Sequence, residues 1–214
     1  MSEVFYYYGK NSSYVFKQFI RHFLISIYGV LFAALIAIPL GFFVARRKKL
    51  SRITISIANV MQTIPSLAML AILMFAIGTG PNTVVFAVFL YAILPILKNT
   101  VSGINSVTPE LIDAATGMGM TKKQLMTKVE LPLAISIIMG GIRNALVLAI
   151  GVTAVGTFIG AGGLGDIITR GITVANGSPI IIAGAIPTAL MAVLADLVLG
   201  TIENKLTPRT FTKI

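Results

Sequence analysis

Apolar positions in this chain gather into long unbroken runs instead of the one-sided stripe of a soluble helix. Five runs stand out, at about residues 23–45, 53–77, 83–97, 133–159 and 179–202. A bilayer core of about 30 Å takes about 20 apolar residues as a helix, so each run predicts a membrane-crossing helix. The third is short and needs length from its flanks, or a tilt. Pro65 interrupts the second run and removes a backbone donor, which predicts a kink or break at Thr63–Ser66. Small residues recur every fourth position in two spans: Gly29, Ala33, Ala37, Gly41 and Ala45 in the first, Gly141, Ala145, Ala149 and Thr153 in the fourth. Such stripes let backbones approach closely where lipid offers no hydrophobic drive for association. The expectation is an all-α integral membrane protein of five packed helices.

Composition agrees: 56% of residues are hydrophobic and 11% charged, and mean hydropathy is +0.92. The net charge of +10 would suggest nucleic acid in a soluble chain, but basic residues collect in the cytoplasmic loops of membrane proteins whatever their function, so no nucleic-acid partner is expected. Arg46, Arg47, Lys48, Lys49 and Arg52 follow the first span, Lys98, Lys122, Lys123 and Lys128 lie between the third and fourth, and Lys205, Arg209 and Lys213 follow the fifth. Only Lys10, Lys17, Arg21 and Arg170 fall on the other side. That bias places the N-terminus outside and the C-terminus in the cytoplasm. Residues 1–22 carry aromatics mixed with Lys17, Arg21 and His22, an external interfacial segment in which His22 belongs to the headgroup-level anchor. No leader-cleavage pattern is visible there. The absence of Cys and the single His argue against a metal site.

The stretch at about 98–132 is too long for a simple connection and reads as two short helices. Thr108 and Pro109 open the first as N-cap and first helical residue; Gly117 and Gly119 stop it. Thr121-Lys-Lys-Gln124 is a capping-box pattern for the second. A helical hairpin beneath a membrane bundle is a docking surface.

Here the sequence resembles a family. Asp113-Ala114-Ala115, three residues, Gly119, nine residues, Val129-Glu130-Leu131-Pro132 looks like the EAA loop of bacterial ABC importer permeases, with Asp113 for the usual Glu and Val129 for Ile. Gln62-Thr-Ile-Pro-Ser-Leu-Ala68, Leu94-Pro-Ile-Leu-Lys-Asn-Thr100 and Gly160-Ala-Gly-Gly-Leu-Gly-Asp166 look like permeases for glycine betaine, carnitine and choline, although methionine permeases share parts of these motifs. The resemblance implies an ABC permease transmembrane domain over residues 23–206, a cytoplasmic tail at 207–214, and a bacterial cytoplasmic membrane. It implies that Glu110, Asp113, Ala114, Ala115, Gly117, Gly119, Leu131 and Pro132 form an ATPase-coupling loop, and that a second permease, identical or a sister, pairs with this chain. Two ATPase subunits and an external binding protein complete the implied assembly. ATP and magnesium belong to the ATPase partner, because no Walker A pattern occurs here, so no cofactor of its own is expected.

Gly160, Gly162 and Gly165 also spell a dinucleotide-type G-x-G-x-x-G, but that pattern needs a strand before it. With Gly163 they read instead as a tight turn or gate at the external mouth. Two charges remain inside spans, Arg143 and Asp196. They form either an inter-helix pair or, with Pro65, part of the pathway wall. A secondary carrier would need internal pseudo-symmetry and an ion site, and an intramembrane enzyme a catalytic dyad or metal helix; neither pattern is found. Methionine or another small metabolite stays open as alternative cargo.

Overall fold

The computed structural model describes residues 2–206; the tail at 207–214, with Arg209 and Lys213, lies outside the described residues. Among the described residues all regular structure is helical. Helix α1 spans Ser2–Ala45, α2 Lys48–Thr63, α3 Ser66–Ile77 and α4 Pro81–Asn105. The short α5 (Pro109–Gly117) and α6 (Lys122–Leu125) follow. A π-helical turn at Met126–Glu130 leads into α7 (Leu131–Val155), which ends in a 3-10 turn at Gly156–Ile159. Helices α8 (Leu164–Thr173) and α9 (Ser178–Leu206) complete the chain.

The small-residue stripes set the packing. A Cβ on Gly29 would fall 2.3 Å from Val88, and one on Gly41 2.5 Å from Thr100, so α1 lies directly on α4. Both contacts advance in the same sense along the two helices, which makes α1 and α4 parallel. On the other flank, Gly156 abuts Val84, Gly141 abuts Asn99 and Gly103 abuts Ala134, so α7 runs antiparallel to α4. Helix α4 is therefore the axis of the bundle, with Val84, Val88, Ile96 and Leu97 fully buried.

That direction of travel fixes the topology. If α1 and α4 are parallel, the chain between them must return across the bundle, and only α2 and α3 are available to do so. They bend by 96° at their junction, so the pair is one broken span and not a loop that returns to its own side. The molecule crosses five times. The ends of α1, α4 and α9 and the starts of α2 and α7 share one face, here the basic face because it holds Arg46–Lys49, Lys122, Lys123, Lys128 and Lys205. The start of α1 and the region around α8 lie opposite.

At the break, Ile64 is extended (φ −68°, ψ 127°), as the residue before a proline tends to be. Its freed carbonyl accepts a hydrogen bond from the Tyr91 hydroxyl of α4, and Gln62 Nε2 donates to the Tyr91 carbonyl at 3.2 Å. A broken helix at membrane depth is sustainable only when neighbours satisfy its backbone in this way.

Helix α1 takes in the residues before position 23, with a kink at Asn11. Two expectations are corrected. His22 is fully buried, so it is no headgroup anchor. Lys98 is not in a loop, because α4 runs on to Asn105. The whole of α8 was unforeseen.

Candidate functional site

Four clusters bear on function. The first is the hairpin on the basic face. Helix α5 begins at Thr108–Pro109, although the Thr108 side chain makes no capping bond. Thr121 and Gln124 form the full capping box: Gln124 N–H donates to Thr121 Oγ1 at 3.3 Å and Thr121 N–H to Gln124 Oε1 at 2.8 Å. Gly119 stands between them at φ +78°. Its N–H donates to the Thr116 carbonyl at 2.9 Å. Ala115 and Leu125 are buried and anchor the hairpin. Glu110, Asp113, Ala114 and Gly117 face outward. So do Leu111 and Met118, 45% and 73% exposed; with Ala114 they share one side of the helix by their spacing. Apolar side chains left open beside two carboxylates make a docking ridge, and sequence reasoning had passed over Leu111 and Met118. Leu131 and Pro132 open α7 directly after the π turn, whose buried Glu130 pairs with Arg46 at the end of α1.

The second cluster lies between α7 and α9. Arg143 Nε and Nη2 donate to Asp196 Oδ1 and Oδ2 at 2.9 and 2.8 Å, and Nη1 donates to Glu203 Oε2 at 2.8 Å. Ser136 Oγ reaches Glu203 Oε1 at 3.2 Å. Gly200 makes room: a Cβ there would stand 3.2 Å from the guanidinium carbon. The structure thus joins Arg143 to Asp196 and adds Glu203. The seven-residue spacing of Asp196 and Glu203, two turns along one helical side, was the available signal. Pro65 belongs to the break described above and is remote in role from this network.

The third cluster, on the opposite face, is the glycine turn. Gly160, Gly162 and Gly163 all have positive φ (78°, 71° and 84°), which folds the chain from α7 into α8. Gly165 is helical and tightly seated, with its Cβ position 2.1 Å from the Ala154 carbonyl. Helix α1 holds the turn in place. Gly163 N–H donates to Gln18 Oε1 at 2.6 Å and Leu164 N–H to His22 Nδ1 at 3.2 Å. Since Nδ1 accepts, the ring proton sits on Nε2, which donates to the Ile150 carbonyl at 3.0 Å. Gln18 and His22, one turn apart on α1, together cap the start of α8. Tyr14 adds its hydroxyl to Asp166, which also holds Arg170 at 2.9 Å.

The fourth is a polar groove of about 430 Å³ at the broken span, lined by Gln62, Lys98, Asn99, Ser102 and Asn144 with Leu94 and Pro95. Two of the motifs singled out in the sequence, at residues 62–68 and 94–100, meet here. Phe86 and Phe89 stack at 5.5 Å beside a groove shared with Phe32 and Val85, whereas Tyr91 turns to the break. Among the described residues no group of His, Asp or Glu is placed to hold a metal.

Comparison with known proteins agrees with this architecture. Residues 37–208 match the family model described as "Binding-protein-dependent transport system inner membrane component". The carnitine transport permease protein OpuCD of Listeria monocytogenes serotype 1/2a (strain 10403S) is 61% identical over 94% of this chain and 91% of its own length. The glycine betaine/carnitine/choline transport system permease protein OpuCD of Bacillus subtilis (strain 168) is 58% identical over 94% and 88%. In fold, the chain superposes on a subunit of the inward-facing MetNI methionine ABC transporter with a TM-score of 0.82, covering 91% of this chain and 96% of that one, at 21% identity. This protein belongs to the family of binding-protein-dependent inner-membrane transport components.

Proposed function

We propose that this chain is the membrane-spanning subunit of an ATP-driven importer for quaternary ammonium osmolytes such as glycine betaine, carnitine and choline. The observation that carries the reading is the capped hairpin α5–α6, which presents Leu111, Ala114 and Met118 between carboxylates on the basic face. By the positive-inside bias that face is cytoplasmic, the N-terminus is external and the hairpin meets an ATPase subunit, which alone binds ATP and magnesium. The high identity to permeases named for these solutes supports the cargo. Two such chains, identical or sister, face each other across the path, each docked on one ATPase. An external binding protein delivers cargo at the mouth, where Gly160, Gly162, Gly163 and Gly165 shape the gate.

Movement of the hairpin has a rigid route upward. It passes through the π turn into α7, and through the Arg46–Glu130 pair into α1. Selectivity is expected chiefly in the binding protein, because among the described residues Phe86 and Phe89 stack away from Tyr91 and do not build an aromatic cage with it, the best receptor for a quaternary ammonium group. The test is uptake in cells stripped of their own osmolyte importers and supplied with this permease, its ATPase and its binding protein. Uptake of labelled betaine, carnitine or choline that protects against high salt supports the reading. Uptake of methionine alone would replace it.

A further inference from the structure

Lys98 stands in an unusual place. Asn99, its neighbour, packs on Gly141, which lies ten residues into α7 and so about 15 Å from that helix's start at 1.5 Å per residue. Along its own helix Lys98 stands about 25 Å from the start at Pro81, toward the basic-face end of the span. Lys98 is exposed, and among the described residues it makes no ion pair or hydrogen bond. A lysine there holds its ammonium in water or against an anion. Its surroundings are polar: Gln62, Asn99, Ser102 and Asn144 line the same groove. Along α7, Gly140, Asn144 and Gly151 continue this open side, with empty space where Cβ atoms on the two glycines would stand.

The groove has two kinds of lining. Asn99 Nδ2 donates to the Pro95 carbonyl at 2.8 Å and Gln62 Nε2 to the Tyr91 carbonyl. Each amide nitrogen has one N–H engaged in this way and one left over, and the amide oxygens of both residues are acceptors with no donor among the described residues. A single unpaired ammonium beside acceptor oxygens suits a zwitterion: carboxylate on the lysine, trimethylammonium among amide oxygens. It does not suit a bare cation, which the lysine repels.

Resting on the cargo class proposed above, we infer that this groove is a transient intramembrane subsite in which Lys98 receives the carboxylate of zwitterionic osmolytes, so that it favours betaine and carnitine over choline during passage.

The experiment measures uptake of labelled glycine betaine, carnitine and choline by the complete complex in proteoliposomes, with the cognate binding protein present. Variants are Lys98→Met, Lys98→Gln and Lys98→Arg, each checked for membrane level and bound ATPase. Uptake efficiency for betaine and carnitine should fall at least tenfold in Lys98→Met and Lys98→Gln and return to within about threefold of wild type in Lys98→Arg. Choline uptake should hold or rise. Betaine uptake within twofold of wild type in both neutral variants would overturn the inference, as would equal loss of all three solutes in assembled complexes. If wild type does not carry choline, the betaine loss and the arginine rescue decide. Wild-type complexes that carry none of the three would instead overturn the cargo proposal, so the two failures are distinguishable.

Discussion

Arg143 and Asp196 meet as a two-pronged pair across α7 and α9, with both carboxylate oxygens engaged at 2.8–2.9 Å. The planar guanidinium fork matches a carboxylate in a way that a lysine ammonium cannot. Glu203 takes the remaining prong, so one arginine ties together two levels of α9. Arg143→Met and Asp196→Asn should each lower the thermal midpoint of the detergent-solubilised protein. The double variant should lose clearly less than the sum of the two. Simple additivity in a scanning fluorescence assay would mean that the two residues do not act together. Gly200→Leu should mimic the Arg143 loss, because it fills the notch in which the guanidinium lies.

Gly41 tests the parallel contact of α1 and α4. With Thr100 2.5 Å from the Cβ position, even Gly41→Ala overpacks, at a penalty of about 1–3 kcal/mol. Gly140→Ala, which has open space around it, should be silent in the same thermal assay. Equal behaviour of the two would refute the close approach.

His22 makes two buried hydrogen bonds that bridge three parts of the chain. His22→Leu keeps bulk but leaves the Leu164 N–H at the start of α8 unsatisfied, at a cost of about 1–3 kcal/mol, and takes from the helix-bonded Ile150 carbonyl its second partner. The loosened turn should show as faster amide hydrogen exchange across residues 160–166 than in wild type. Unchanged exchange there would mean that α1 does not hold the turn.

Gly119 isolates backbone conformation from crowding, since nothing stands within 4 Å of its Cβ position while φ is +78°. Gly119→Val should disturb the hairpin by strain alone, about 1–2 kcal/mol, and reduce ATPase co-purification severalfold with normal membrane levels. Asn tolerates this backbone region far better, so Gly119→Asn should restore most of the association. Equal loss in both variants would point to a role other than turn geometry.

Features encoded locally were legible in the sequence. The spans followed from run length, the break from Pro65, the hairpin from Thr108–Pro109 and the Thr121–Gln124 box, and the α1 seam from glycine and alanine spacing. What escaped depended on distant partners. His22 sits among aromatics and basic residues, which suggests an interface, but its real environment is a turn 142 residues away. Lys98 looked like a loop charge because a lysine normally ends a hydrophobic run; the polar groove that sustains it inside α4 is assembled from three helices. Glu203 was overlooked because a carboxylate near a span's end reads as solvated until Arg143 is seen reaching down to it.

The π turn at Met126–Glu130 acts as an angular setting. Winding five residues with i→i+5 bonding, it takes in one residue more than a straight α-helical join would, and one residue in an α-helix corresponds to about 100° of rotation. Every side chain of α7 beyond it is therefore aimed relative to the hairpin by that single extra residue. Arg143 points at α9 and its neighbour Asn144 into the groove because of this offset. Deleting Thr127 would let the join relax to an α-helix and turn α7 as a dial against α5, leaving each part intact but the two out of phase.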